Sequence, residues 1–415
     1  MEEPYFDDGE ARDPGEREAA LMAALPRIIE TAQRDAPAYR QALAGVRAAA
    51  IDSRQALAEL PLTRKSELIE LQRQNPPFGG FTTIATGAVS RIFASPGPIY
   101  EIEARRPDFF RMTRALYAAG IRGGDLIHNT FSYHLTPAGA MLESAALALG
   151  CPVIPAGTGQ TELQLQTIAD LRPVAYVGTP SFLKILCDRA AESNGDITSI
   201  KKALVGAEAF PAALRSEFRD RGIAALQCYG TADLGLIAYE TTGPDETLCD
   251  GMMVDEGVIL ELVEPGTGIP VVPGEVGEVV VTTLTAEYPL IRFATGDLSA
   301  LLLEPSPCGR TNQRIKGWLG RADQSAKVRG MFVHPVQVGE IARRHPAVRR
   351  ARLVIERPQS ADAMTLLVET EMPDEAAAIA ATAQSVTKLR AEITCVPLGS
   401  LPQDGKLIED RRPIG

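Results

Sequence analysis

Tyr229-Gly230-Thr231-Ala232-Asp233-Leu234-Gly235 brings an aromatic ring, a glycine and a carboxylate together just past Ala225–Cys228, a run that reads as a strand. Open sheets bind ligands at the carboxyl ends of their parallel strands, so this set could hold one. The plainer reading is a βα turn whose Asp caps the next element. Tyr288–Asp297 (YPLIRFATGD) reads as a strand running into a Thr-Gly-Asp turn. Gly-Asp is ordinary hairpin chemistry, yet a carboxylate fixed at such a turn can also accept two ribose hydroxyls. The stretch from Gly320-Arg321-Ala322-Asp323 to Gly330 is either a solvated linker or a hinge at which one residue absorbs a large backbone rotation. Near the C-terminus, Lys406 follows Gly405. An exposed lysine is usually a solvating charge, but on a mobile Gly-containing loop it can be carried to a phosphate. His134 stands beside Phe131 and Tyr133 with no carboxylate partner visible in sequence, so packing competes with a role as base or acyl-carboxylate contact.

The elements that must position these residues alternate. Leu21, Leu25, Ile28 and Ile29 recur at helical spacing within a helix expected over 20–45. Thr63 is placed to N-cap a helix through Leu71. Arg91–Ser95 reads as a strand ending in the turn Ser95-Pro96-Gly97-Pro98. Helices are expected at Phe109–Ala119, Ala138–Leu149, Thr161–Leu171, Ser181–Ala191 and Ala212–Asp220. Strands are expected at Asp125–Asn129, Pro152–Pro155, Val174–Gly178, Ala203–Val205 and Ala225–Cys228. Repeated strand–helix units imply right-handed crossovers and a mainly parallel sheet, an α/β fold. From about Ala238 the pattern turns β-rich, at Val258–Val263, Val276–Thr283 and Leu298–Leu303, and predicts an antiparallel meander or small barrel. From about Gly320 a small α+β unit follows, with helices at Val336–His345 and Glu375–Glu392 and strands at Ala351–Ile355 and Met364–Thr370.

Composition sets the frame. The 415 residues, 45% hydrophobic and 23% charged, are too many for one core and imply two or three units. A net charge of −11 excludes sequence-independent nucleic-acid binding as the main role, though local Arg, Lys and N–H groups can still hold an anion. The acidic, polar start lacks the basic and apolar regions of a secretory signal. No run is long enough to cross a bilayer; the most apolar, Ala138–Ile154, is interrupted by Glu143. Six cysteines without a C-x-x-C pair make no disulfide framework, and a reducing cytoplasm is the expected compartment.

Taken in order, these motifs resemble those of the adenylate-forming superfamily of acyl-CoA ligases, adenylation domains and luciferases. The phenylacetate–CoA ligase family is the branch that the chain resembles, over about 20–410. That branch shows in Asp35-Ala36-Pro37-Ala38-Tyr39, Leu60-Pro61-Leu62-Thr63-Arg64-Lys65, Gly178-Thr179-Pro180-Ser181, Gly206-Ala207-Glu208-Ala209-Phe210, Pro307-Cys308-Gly309-Arg310-Thr311 and Val333-His334-Pro335. The resemblance implies that a carboxylate attacks the α-phosphate of ATP, giving an acyl-adenylate and pyrophosphate. A small C-terminal domain then rotates, and the thiol of coenzyme A displaces AMP. It implies an N-terminal domain over 1–320, with a β-rich subdomain at about 238–320, and a lid over 321–415. By matching position, Lys406 is the adenylation lysine. Asp297 holds the ribose, Tyr229 with Gly230 meets the adenine, and Gly206, Ala207 and Glu208 line its slot. Ser95 and Gly97 remain from the phosphate loop, Asp233 holds Mg²⁺, Arg321 reaches the nucleotide and Asp323 is the hinge. Phe131, Tyr133, His134, Gly178 and Thr179 border the acyl pocket, whose aromatic wall suits an aryl-acetic or related aromatic acid. A homodimer is the assembly implied.

The sequence also departs from that pattern. The phosphate loop of the family is a Ser/Thr/Gly run ending in Gly-Lys; here Pro96 and Pro98 have no N–H to give, and Glu101 stands where the lysine would. Ala232 replaces a hydroxyl residue, and Asp233 is one methylene shorter than the usual Glu. Some relatives hold a structural zinc in the β-rich region. Here Cys249 and Cys308 have Ser306 where a further Cys would stand, and no His lies between His134 and His334, so zinc is not expected. The reading that follows is ATP-dependent ligation of an aromatic acid to coenzyme A. Two others stay open: transfer from the adenylate to a non-CoA acceptor, and a binding protein on the ligase fold without turnover, which the altered loop favours.

Overall fold

The computed structural model describes residues 3–412 except 96, 265–266, 323–325, 329–330, 334, 359–361 and 403–405. The chain divides into two compact units, Met1–Leu319 and Gly320–Ile414.

In the N-terminal unit the strands Val153–Pro155, Ile127–Asn129, Ala175–Gly178, Lys202–Val205 and Ala224–Thr231 lie side by side, all parallel. Ala138–Leu149, Thr161–Leu171, Pro180–Ser193 and Ala212–Asp220 are the helices between them. Ala175–Gly178 is buried at every position, as a strand covered on both faces must be. Gly150 ends the first of these helices at φ +84°, a left-handed conformation that glycine takes without a Cβ penalty.

Among the described residues the β-rich segment forms no closed barrel. Gly235–Tyr239, Met252–Val254, Arg314–Ile315, Phe293–Leu302, Val276–Thr283 and Val258–Val263 extend the same sheet in antiparallel fashion. The cause is local. The strand Ala224–Thr231 runs past its parallel neighbour and folds straight back as a hairpin onto Gly235–Tyr239, so Ala232–Leu234 is a ββ turn and not the βα turn expected, with Tyr229 and Gly230 in the strand before it.

Other expectations are corrected too. The N-terminal helix is Pro14–Asp35 followed by a separate short helix, Pro37–Ala42. Ala36 lies between them in extended conformation because a residue preceding proline is pushed out of the helical region. Thr63 caps nothing: Thr63–Arg64 pairs with Phe293 and Ala294, and the helix begins later, at Leu68. Thr295-Gly296-Asp297 is no hairpin tip. It lies inside the strand Phe293–Leu302, as a bulge between the Ala294–Val280 and Leu298–Glu278 pairs, with Gly296 at φ +78°.

The first residues of the chain are tied down by charge. Buried Glu10 accepts from the Tyr239 hydroxyl and, at 2.9 Å, from Arg310 Nε. Asp7 pairs with Arg114, and Arg17 Nε meets Glu256 at 2.9 Å.

In the C-terminal unit Glu392–Val396, Ala363–Thr370, Val348–Glu356 and Ile408–Asp410 form one sheet, with Ile408–Asp410 parallel to Val348–Glu356. The helices Pro335–Arg344 and Ala376–Thr387 accompany it. The second is shorter than expected: Lys388 turns left-handed (φ +63°) and the Thr387 hydroxyl gives back to Ala383 O at 2.7 Å, so Glu392 starts a strand instead of ending a helix. Among the described residues no helix is long and apolar enough to cross a membrane.

Candidate active site

The bulge aims Asp297 at the hairpin. Asp297 is 8% exposed, and its Oδ2 accepts from the Tyr229 hydroxyl at 2.8 Å. Its Oδ1 accepts from Trp318 Nε1 at 3.1 Å. The bulge is held from within, because Asp297 N gives to Thr295 Oγ1 at 3.1 Å and that hydroxyl gives to Val279 O at 3.0 Å. Gly230 is pinned beside it: a Cβ there would stand 2.6 Å from Gly235 O.

Gly206, Ala207 and Glu208 leave the strand Lys202–Val205 at its carboxyl end. Gly206 N gives to Gly178 O at 3.1 Å, and Ala207 is left-handed at φ +65°. A Cβ on Gly206 would lie 3.1 Å from Cys228 Sγ and 4.0 Å from the Phe131 ring, so this turn and the aromatic segment are neighbours. The Glu208 side chain is exposed, while its carbonyl accepts from Gln227 Nε2 at 2.8 Å.

Phe131 is buried, whereas Tyr133 and His134 are exposed. Asn129 Nδ2 gives to the Tyr133 hydroxyl at 2.8 Å, and burial and Glu143 push that phenol well above its ordinary range. His134 N gives to Ser132 Oγ at 3.2 Å. Gly178 could carry no side chain: a Cβ would fall 2.0 Å from Thr130 Oγ1 and 2.3 Å from the Tyr176 hydroxyl, which are hydrogen-bonded to each other at 2.7 Å. Thr179 is the N-cap of Pro180–Ser193, its Oγ1 accepting from Phe182 N at 3.3 Å.

The segment expected to be the phosphate loop lies at a hairpin. Val89–Ser95 and Ile99–Ala104 form a hairpin that closes on the Ser95–Ile99 pair, leaving Gly97 exposed at the tip. Glu101 does not project from a loop. It sits in the second strand opposite Phe93, buried, and its Oε1 accepts from Ser95 Oγ. Burial first, and the nearby Asp233 charge second, push its carboxyl up to about 8. The Asp233 side chain is fully buried and is ion-paired through Oδ2 with Lys65, while its Oδ1 has no hydrogen-bond partner among the described residues. The Oδ1 atom, a hard oxygen without a partner among those residues, is of the kind a divalent cation such as Mg²⁺ takes, but Lys65 already supplies a positive charge at Oδ2.

Arg321 and Lys406 belong to the second unit; Arg321 is half-buried and Lys406 exposed. Lys406 immediately precedes the strand segment fixed by Leu353 N giving to Leu407 O at 2.8 Å. Asp323 lies outside the described residues. The structure thus joins Asp297 to Tyr229, Ser95 to Glu101, and Phe131 to the Gly206 turn. Sequence reasoning passed over Lys65, Tyr288 and Trp318 as site residues, although Lys65 lies in Leu60–Lys65, Tyr288 opens YPLIRFATGD and Trp318 is the chain's one tryptophan. Cys249 and Cys308 are free and buried, and among the described residues no three His, Cys, Asp or Glu side chains cluster as metal ligands would.

The parallel sheet thus carries the Gly206 turn and Tyr229 at the carboxyl ends of its strands, and the antiparallel half brings Asp297 to Tyr229. The profile described as "AMP-binding enzyme" matches residues 114–285. The phenylacetate–coenzyme A ligase of Thermus thermophilus is 32% identical over 375 residues, covering 87% of this chain and 83% of that enzyme. The Escherichia coli K12 phenylacetate–coenzyme A ligase is 32% identical over 355 residues, covering 81% and 78%. The chain belongs to the phenylacetate–CoA ligase family of adenylate-forming enzymes. In fold it is similar to a 2-hydroxyisobutyryl-CoA ligase solved with 2-HIB-AMP and CoA, with a TM-score of 0.76 and 23% identity over 99% of this chain and 93% of that one.

Proposed function

We propose that this protein joins an aryl-acetic, phenylacetate-like acid to coenzyme A, cleaving ATP to AMP and pyrophosphate. The observation that carries this is the 32% identity to phenylacetate–CoA ligases along 87% of the chain. The enzyme is an AMP-forming acid–CoA ligase. The acid's carboxylate attacks the α-phosphate, turning a poor leaving group into a good one, and the thiol of coenzyme A then displaces AMP. What the protein must supply is in-line placement and relief of negative charge.

In this reading Asp297 accepts the ribose hydroxyls, with Tyr229 fixing its orientation. Tyr229 and Gly230 meet the adenine beside Gly206, Ala207 and Glu208. Ser95 and Gly97 flank the phosphates, Arg321 reaches the nucleotide, and Lys406 bridges carboxylate and α-phosphate. Asp233 would hold Mg²⁺, which when bound neutralises phosphate charge. Phe131, Tyr133, His134, Gly178 and Thr179 border the acid. Residues 321–415 act as a lid turning about Asp323 between the two half-reactions. Six free cysteines support a reducing cytoplasm, and a homodimer is the expected assembly.

AMP release from ATP and Mg²⁺ over a panel of aromatic acids, with and without coenzyme A, tests this. Release needing both acid and coenzyme A supports it. Release with acid alone, or with an amine in place of coenzyme A, redirects the acyl group. No release from folded protein that binds ATP rejects turnover.

A further inference from the structure

Two charged side chains of the C-terminal unit are buried outside its hydrophobic core. Glu369 is 3% exposed and Arg352 5%. They belong to the paired strands Ala363–Thr370 and Val348–Glu356. Ala351, Leu353 and Ile355 pack with Val338, Ile341, Ile379 and Ala383 of the two helices. Side chains alternate along a strand, so Arg350 and Arg352 lie on the other face, with Arg350 opposite Glu369 in the ladder. A charge taken out of water needs partners. Here the partners stand on either side of Lys406. Glu369 Oε1 accepts from Leu401 N at 2.6 Å, and Arg350 Nη1 gives to Leu401 O at 3.5 Å. Arg352 Nη2 gives to Pro402 O at 3.2 Å, while its Nη1 meets Glu409 Oε2 at 3.4 Å. One guanidinium therefore touches the chain both before Lys406 and after it. The chain after Lys406 is held a second time, by Leu353 N giving to Leu407 O at 2.8 Å.

We propose that Glu369 and Arg352 are positioning residues for Lys406, holding the chain on both sides of it against the sheet so that the lysine reaches the α-phosphate in the first half-reaction. This rests on the ligase reading and on Lys406 as its adenylation lysine. A lysine is a point charge on a flexible four-carbon stem, so its backbone must supply the placement. Misplacing a reacting group by about 1 Å can cost on the order of 10²-fold in rate. Stability alone does not call for these two side chains, because buried charges are a weak source of it and apolar residues fill such a face as well. What the charges add is directional hydrogen bonding to the Leu401 amide and the Pro402 carbonyl, which an apolar side chain cannot give.

The test separates the half-reactions. Glu369→Ala and Arg352→Met should each slow ATP–pyrophosphate exchange about tenfold or more, with KM for ATP near wild type. Thioester formation from supplied aryl-acetyl adenylate should be unaffected. Glu369→Gln, which keeps an acceptor for Leu401 N, should recover most of the loss. In a Lys406→Ala background, Glu369→Ala should add no further loss, since residues that act as a unit are not additive. Hydrogen exchange followed by mass spectrometry should be faster across 399–409 in Glu369→Ala than in wild type. Melting curves establish that each variant is folded, and Arg352→Met stands in if Glu369→Ala is not. Equal slowing of both half-reactions, additive loss on top of Lys406→Ala, or unchanged hydrogen exchange overturns the proposal. The two readings fail separately. Pyrophosphate exchange that Lys406→Ala slows, and that the folded Glu369 and Arg352 variants leave intact, removes the positioning role and keeps the ligase. Wild type without pyrophosphate exchange or AMP release rejects the ligase, and with it the use proposed for these residues, whose hold on the chain the hydrogen exchange still reads.

Discussion

Tyr229 and Asp297, 68 positions apart, are joined by a 2.8 Å hydrogen bond from the phenol to Oδ2. The hairpin carries one and the strand bulge the other, so neither alone orients the carboxylate. With Asp297 as the ribose acceptor, Asp297→Ala should raise KM for ATP roughly tenfold or more, the loss of hydrogen bonds to a charged group. Tyr229→Phe should raise it less and leave KM for the acid unchanged. Steady-state kinetics with each substrate varied, together with AMP binding by calorimetry, checks both. Equal effects on acid and nucleotide would remove the assignment.

Lys406→Ala should slow adenylate formation by roughly 10²-fold or more. Thioester formation from supplied aryl-acetyl adenylate should stay near wild type. Pyrophosphate exchange reads the first half-reaction and coenzyme A consumption the second. Comparable losses in both would mean that Lys406 serves general nucleotide binding.

Gly178→Ala should cost about 1–3 kcal/mol, the usual penalty for overpacking. The added Cβ would meet Thr130 Oγ1 at 2.0 Å, in a part of the sheet with no room to yield. KM for the acid should rise alongside, since Gly178 borders the proposed pocket. Urea denaturation and acid-dependent kinetics measure the two effects. A neutral Gly178→Ala would show that Thr130 and Tyr176 move apart freely.

His128 is completely buried and meets Gln164 Oε1 at 2.8 Å; burial lowers its pKa below the ordinary value of 6.5. The unfolded chain therefore binds a proton that the folded chain refuses. This stabilisation is complete above about pH 6.5 and is lost as pH falls below it. His128→Gln should flatten stability between about pH 7.5 and 5.5 relative to wild type. Urea titrations at the two pH values decide it; parallel losses in both proteins would exclude His128 as the source.

Much of the fold was legible because its signals are local. The helix Ala138–Leu149 ends at Gly150 in both sequence and structure, since one left-handed glycine settles the matter. The bulge at Thr295-Gly296-Asp297 was not legible. A Gly-Asp pair looks the same in a hairpin tip as in a strand, and only the register against Val276–Thr283 tells them apart. The same holds for Tyr229, whose hairpin depends on a strand outrunning its neighbour. Glu101 was read from its position in the chain as a charge facing phosphate. Strand pairing turns it inward against Ser95, which no spacing rule reveals. Lys65 escaped because a single lysine carries no pattern; its meaning comes from Asp233, 168 positions away.

The ties of Glu10 span 229 residues to Tyr239 and 300 to Arg310. Translation proceeds at about 5–20 residues per second, so Glu10 is incorporated on the order of 15–60 s before Arg310. Through that interval the carboxylate has no complete place to dock. The docking site of Glu10 is therefore complete only once Arg310 has been made, and a nascent chain stalled short of that point displays the acidic stretch around Glu10 to chaperones and proteases.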